Sequence, residues 1–228
     1  MRKIDKLKTV QLIVFILLTA VCALVVFSNK TLFHTIALDG NVRLMCIFLW
    51  ASLALSFLFI FLDLSMYSSI KREYRELDYA VHTDATSGIA NRYSSDVIIE
   101  KYLDKPLPAH VGAVMIELSN IKEINDQYGH IQGNNAIRVF GTILKMTSVD
   151  LCFVARNGGN RFLAIFEEGS EEKINEFISR FETKVNEGNS IPGKMKLEYR
   201  YGVAFNEGDS VKSITELISL SFNRMINS

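Results

Sequence analysis

The sequence predicts two membrane-spanning helices followed by an α/β domain in which helices cover an antiparallel-rich sheet. Three observations predict it. Two long uncharged apolar runs stand near the N-terminus, strand-like and helix-like periodicities alternate after residue 84, and a double glycine separates two apolar runs in the manner of a tight hairpin. The chain has 228 residues with 25 acidic and 25 basic side chains, and its mean hydropathy of +0.17 is high for a purely soluble domain of this size.

The apolar excess lies in "VQLIVFILLTAVCALVVF" (10–27) and "LMCIFLWASLALSFLFIFL" (44–62). Runs of about 18 residues at about 1.5 Å per residue cross most of a ~30 Å hydrocarbon layer, so each reads as a transmembrane helix. A signal peptide is the competing reading of the first run, which follows the basic stretch "MRKIDKLK". The run is longer than a usual signal core, no small-residue cleavage site follows it cleanly, and the second span would still anchor the product. Arg2, Lys3, Lys6 and Lys8 precede the first span and Lys71, Arg72 and Arg75 follow the second, whereas the connecting loop holds Lys30 and, at its edge, Arg43. The positive-inside rule then places both termini in the cytoplasm and the short loop "SNKTLFHTIALDGN" outside. Asn29 opens a glycosylation pattern there but reads as a turn residue beside the membrane. Cys22 and Cys46 lie in the spans and Cys152 in a strand pattern, so none suggests a disulfide or a metal site.

Charge density rises between residues 64 and 82, where Tyr74, Leu77 and Val81 recur at helical spacing. This stripe fits either a helix that pairs with its own copy or a solvated spacer. Beyond it the chain reads as one domain of about 145 residues. Residues 94–103 form a helix ended by "DKPLPAH"; 111–118 a buried strand; 119–129 a short helix closed by Gly129; and 134–148 a second helix with an apolar face. Hairpin strands at 151–155 and 162–166 flank Gly158 and Gly159, whose freedom at positive φ suits the turn. A charged helix over 170–188, with Ser170 and Glu171 at its start, a strand over 196–205 and a last helix over 213–226 complete the domain. The organisation is therefore an anchor (1–65), a linker or signalling helix (66–83) and a domain (84–228).

Four segments in order resemble the GGDEF family, the diguanylate cyclases of bacterial second-messenger signalling. "DATSGIANR" (84–92) is similar to D-x-L-T-G-L-x-N-R, and "IELSNIKEINDQYGHIQGNNAI" (116–137) to D-I-D-x-F-K-x-I-N-D-x-Y-G-H-x-x-G-D-x-x-L. "RNGGNRF" (156–162) matches R-x-G-G-D-E-F except in its acids, and "YRYGVA" (199–204) resembles the late S-x-G-I-A strand. The resemblance implies a nucleotide-cyclase-like palm, a bacterial cytoplasmic membrane location, and, in an intact member, two domains meeting face to face with one GTP each. Gly158, Gly159, Asn160, Arg161 and Phe162 then form the signature turn.

In an active member the acids of that turn and an aspartate of the preceding strand serve divalent cations and the attacking 3′-hydroxyl. Joining two triphosphates needs Mg²⁺ on hard carboxylate oxygens to offset the developing charge. Here the turn supplies Asn160 and Arg161, the strand aspartate is Glu117, and its neighbouring acid is Ser119. An arginine directed at a divalent ion from about 4 to 6 Å would repel it by roughly 6 to 8 kcal/mol at an effective dielectric near 20. Metal binding by Glu117 alone is expected to be weak. Asn125 matches the family's base-contacting asparagine and Lys122 its phosphate-contacting lysine, while the acid expected after "YGHxxG" is Asn134. An amide cannot accept from both guanine donors, and one unpaired group costs about 1 to 3 kcal/mol, so GTP selectivity should fall by about one to two decades. The terminal helix matches the family poorly, and Val149 and Cys152 stand where the product-inhibition motif would place its arginine and acid. His130 reads as a packed helix-terminal residue rather than a catalytic base.

These residues predict a membrane-anchored regulatory or binding module that keeps the fold without making cyclic di-GMP. Its partners would be a second copy, an intact GGDEF protein or, weakly, a guanine nucleotide, with no nucleic acid expected. Retention of Glu117, Lys122 and Asn125 supports the alternative of a low-activity cyclase, or one with altered nucleotide preference, that would use Mg²⁺. A purely structural dimerisation module is the third reading.

Overall fold

The computed structural model describes residues 2–228, with side chains from residue 6 onward. The chain divides between Glu76 and Leu77 into two compact units.

The first unit holds α1 (Arg2–Ser28), α2 (Lys30–Leu38) and most of α3 (Gly40–His82). Two candidate spans, Lys6–Ser28 and Gly40–His82, are long and apolar enough by composition to cross a membrane, and neither is buried in protein. The two helices run antiparallel: Lys8 pairs with Asp63 at 2.7 Å, its ammonium lies 4.7 Å from the centre of the Tyr67 ring, and the Phe15 and Phe57 rings stand 6.2 Å apart. The segment read as an external loop is largely helical. Asn29 starts α2 by accepting from the Leu32 amide at 3.1 Å, so the residue that opens the glycosylation pattern is a helix cap. The second span and the charged segment after it form one uninterrupted helix, because no proline or glycine stands between Asn41 and His82 to break it.

In the second unit the elements are α4 (Arg92–Glu100), β1 (Gly112–Leu118), α5 (Ile121–Tyr128), α6 (His130–Thr147), β2 (Phe153–Gly158), β3 (Arg161–Phe166), α7 (Glu171–Asn189), β4 (Tyr199–Phe205), the single turn α8 (Asn206–Asp209) and α9 (Ile214–Ile226). The four strands order as β2-β3-β1-β4 with antiparallel neighbours throughout. β1 is central and buried along nearly its whole length, which explains its unbroken apolar run. Ser170 and Ser213 cap α7 and α9 by accepting from the amides of Lys173 and Glu216.

Strand alternation sends side chains to two cores. One face carries Val114, Ile116, Leu118, Phe162, Ala164 and Phe166 against α6 and α7, where Phe140 meets Phe162 at 5.1 Å and Phe181 edge-on at 5.4 Å. The other carries Ala113, Met115, Leu163, Ile165 and Ala204 against Ile214, Leu217 and Met225 of α9. Cys152, just before β2, packs beside the first core, and burial pushes its thiol up to about 12, which makes it an unreactive small apolar group.

Helix α9 lies unusually close to β4. A Cβ on Gly202 would stand 2.2 Å from both the Met225 amide nitrogen and the Ser221 carbonyl oxygen, backbone atoms that cannot turn aside. Gly202→Ala should therefore destabilise the domain by about 1 to 3 kcal/mol or more, read as a lowered urea midpoint with an unchanged slope. An unaltered midpoint would show that α9 packs less closely than described.

Candidate functional site

The hairpin joining β2 to β3 is held from two sides. Gly158 and Gly159 adopt φ of 115° and 58°, conformations open to glycine, and a register irregularity between Arg156 and Gly158 tightens the strand end. Arg156 donates from Nε and Nη2 to the Gly159 carbonyl at 2.8 and 2.6 Å, and from Nη1 to Asp84 at 2.9 Å. Asp84 also accepts from the amide and hydroxyl of Ser87, both at 2.7 Å, and so closes the turn of the "DATSG" segment. Gly141 of α6 leaves room for that turn, since a Cβ there would meet the Ser87 carbonyl at 2.5 Å. The first and third sequence segments are thus parts of one clamp that fixes the hairpin.

Asn160 occupies the turn and Arg161 opens β3. The Asn160 amide donates to the Leu118 carbonyl at 2.9 Å, while the Leu118 amide donates to the Asn160 carbonyl at 3.0 Å. The side chain that stands for an acid in the signature is therefore a hydrogen-bond donor to the end of β1. Phe162 is fully buried in the α6/α7 core, so alternation turns its neighbour Arg161 to the opposite face.

On that face Glu117 sits between two arginines. It is in register with Arg161 on β3 and with Arg200 on β4. Nε and Nη2 of Arg200 both lie 2.5 Å from Glu117 Oε2, and the Glu117 side chain is only 14% exposed. Arg161 is exposed and lies over the Phe222 ring of α9, 5.4 Å from its centre. Arg200 escaped the sequence reading. Its spacing from Tyr199 and Gly202 marked a strand, but pairing with Glu117 depends on a register between segments about 80 residues apart.

The other expected residues are spread over the adjoining helices. Lys122 is exposed in the first turn of α5, and Ser119 is exposed just before it. Asn125 packs against α6 so closely that a Cβ on Gly133 would lie 1.9 Å from its Oδ1, which accounts for the glycine in "YGHxxG". Asn134 is exposed near the start of α6, and His130, its first residue, is helix-terminal but exposed rather than packed. Asn120 does not cap α5; its amide instead bridges to the Lys196 carbonyl at 3.0 Å and the Glu198 amide at 3.1 Å, tying the end of β1 to the start of β4.

The fold family implies Mg²⁺, and the residues as placed do not fit it. The one carboxylate is paired with a guanidinium, the turn residue donates rather than accepts, and a second guanidinium stands opposite. Among the described residues no group of three His, Cys, Asp or Glu side chains could hold a metal ion.

Comparison with known proteins places this architecture. The profile of the family described as "Diguanylate cyclase, GGDEF domain" matches residues 81–226, and the chain belongs to that GGDEF family. Among curated relatives, the cyclic di-GMP phosphodiesterase PdeR of Escherichia coli is 30% identical over 116 residues, covering 50% of this chain and 17% of that protein. The diguanylate cyclase DgcS of Shewanella oneidensis is 30% identical over 99 residues, covering 42% and 33%. The matched part is thus a third or less of those relatives' length. Among solved structures, the coiled coil and GGDEF domain of DgcB from Caulobacter crescentus, in complex with c-di-GMP, aligns with a TM-score of 0.58 at 17% identity, over 79% of this chain and 93% of that one. The diguanylate cyclase SiaD of Pseudomonas aeruginosa, in complex with its activator SiaC, aligns with a TM-score of 0.57 at 14% identity, over 99% and 85%. At these identities the structures establish the shared fold.

Two outcomes test the geometry. Burial pushes the Asp84 carboxyl up, but the Ser87 amide and hydroxyl and Arg156 together outweigh it and hold it below the usual carboxylate range. The stability that this depression contributes is complete above the unfolded value near pH 4 and is lost as pH falls through the lower native value. Asp84→Asn should flatten that part of the acid limb in urea denaturation measured from pH 5 to 2. Separately, Asn160→Asp would set a carboxylate against the Leu118 carbonyl and lower stability by about 1 to 3 kcal/mol at neutral pH, less at pH 3, where the protonated group can donate.

Proposed function

We propose that this chain is a membrane-anchored GGDEF-type module that acts by binding within cyclic di-GMP signalling and does not synthesise the nucleotide. The observation that carries this reading is the Glu117–Arg200 pair with Arg161 opposite, which engages the retained carboxylate where a metal would need a free oxygen. On this reading residues 1–65 are the anchor in a bacterial cytoplasmic membrane, with both termini in the cytoplasm, and residues 84–228 are the module. The apolar helices with exposed side chains and the basic residues flanking them support the anchor. Tyr74, Leu77 and Val81 are exposed on α3 and supply a stripe by which two copies, or this chain and an intact GGDEF protein, would pair. The presence of a coiled coil before the GGDEF domain of DgcB and of a protein activator on SiaD supports action through protein contacts.

One observation favours a second reading, a cyclase of low activity or altered base preference: Lys122 is exposed and Asn125 remains seated against Gly133. Incubating the purified full chain with GTP and Mg²⁺ or Mn²⁺ separates the two. No cyclic di-GMP above the level of a Glu117→Ala control is expected. Metal-dependent product that disappears in Glu117→Ala would establish the second reading.

A further inference from the structure

Between α6 and the segment that joins α7 to β4 the domain carries a cavity of about 310 Å³, at the lower end of the ~300 to 1,000 Å³ common for small-molecule sites. Its floor is apolar, with Ala136, Val139 and Ile143 from one face of α6 and Met195 and Leu197 from the joining segment. Asn189 holds that segment in place: its amide donates to the Leu197 carbonyl at 2.9 Å, and its side-chain oxygen accepts from the Leu197 amide at 2.8 Å. Both ends of Asn189 are thereby used. Asn135 donates to Gln132 Oε1 at 3.2 Å, which leaves the Gln132 amide nitrogen as a donor at the rim. Lys194 is exposed beside it and, among the described residues, has no carboxylate at ion-pair distance. No acidic residue lines the cavity, so apart from the Asn135 oxygen the remaining side chains of the rim offer donors and one positive charge above an apolar floor. Gly188 completes the mouth. It lies in the last turn of α7, and a Cβ there would meet nothing within 4 Å, so the helix leaves a gap where another residue would place a side chain.

We propose that this cavity binds a small apolar carboxylic acid, its hydrocarbon or aromatic body on the α6 floor and its carboxylate at Lys194 and Gln132. Removal of the apolar body from water supplies the affinity, and charge-assisted hydrogen bonds at the rim fix the orientation. Met195 is unbranched and polarizable, which lets the floor fit bodies of different outline and favours an aromatic edge. An amine of the same shape would meet the Lys194 ammonium as a like charge, and an alcohol would forgo the ionic part of the contact. The cavity shares no residue with the hairpin or with Glu117 and Arg200, and its chemistry needs neither a metal nor a nucleotide. It therefore gives the domain a ligand input of its own, beyond the function proposed above.

The test is calorimetric titration of the full chain in lipid nanodiscs with phenylbutyrate, phenylbutanol and phenylbutylamine, each corrected for the same titration into empty nanodiscs. The acid is expected to bind, the alcohol to bind about tenfold more weakly and the amine not at all, and added salt should weaken the acid. Lys194→Ala should lower the affinity for the acid about tenfold, and Lys194→Arg should keep most of it. Gly188→Leu should abolish binding by filling the mouth, with a melting temperature equal to or above that of the native chain, because leucine favours a helix more than glycine does and its side chain enters open space. If that variant folds poorly, the Lys194 pair decides alone, since its side chain is exposed. No binding of the acid, an alcohol bound as tightly as the acid, or an affinity unaltered in both Lys194→Ala and Gly188→Leu overturns the proposal. Two copies per nanodisc that separate in Gly188→Leu would assign the groove to a second copy and overturn it as well.

Discussion

The register of β1 between β3 and β4 is the constraint on which the rest of the site depends. Because β1 is central and covered on both faces, a slip of one residue would exchange its two sets of side chains, placing Glu117 in the α6/α7 core and Ile116 out of it. The cost of burying an unpaired carboxylate and losing the packing of Val114, Ile116 and Leu118 fixes the alignment. With that alignment, Glu117 stands between Arg161 and Arg200 on the α9 face, and the hairpin amide of Asn160 reaches the Leu118 carbonyl. The chemistry of the site follows from a packing decision made a few residues away.

Much of the signature of this family is, in this chain, a description of the fold. Phe162 is a core aromatic, Gly158 and Gly159 turn the chain, Arg156 and Asp84 clamp the turn, and Gly133, Gly141 and Gly202 permit close approaches of Asn125, Ser87 and α9. Such residues persist for packing whether or not nucleotide chemistry persists. The positions whose only use would be metal chemistry carry Asn160, Arg161 and Ser119, none of which is acidic. A chain can therefore belong firmly to the GGDEF family while carrying none of the acids of its signature turn.

Legibility from sequence was uneven for physical reasons. Local periodicity marked β1, α6, α7, β4 and α9 because each buries one face or both, and Ser170 marked the start of α7. It did not mark α2, whose nine residues between two apolar helices resemble a polar loop until Asn29 is seen to cap them. Exposure of His130 was equally hidden, since a terminal position on a helix does not say which way the first turn faces.

The sequence alone determined the order of the elements in the domain apart from the single turn α8, the two apolar helices, the hairpin at the double glycine and the absence of acids at positions 160 and 161, because each is written in local composition and spacing. Only the tertiary structure decided that Arg200 takes up Glu117, that Asn160 donates to β1, and that Arg161 rests on Phe222. Those outcomes depend on strand register and on the approach of α9, and contacts between segments tens of residues apart leave no trace in a local pattern.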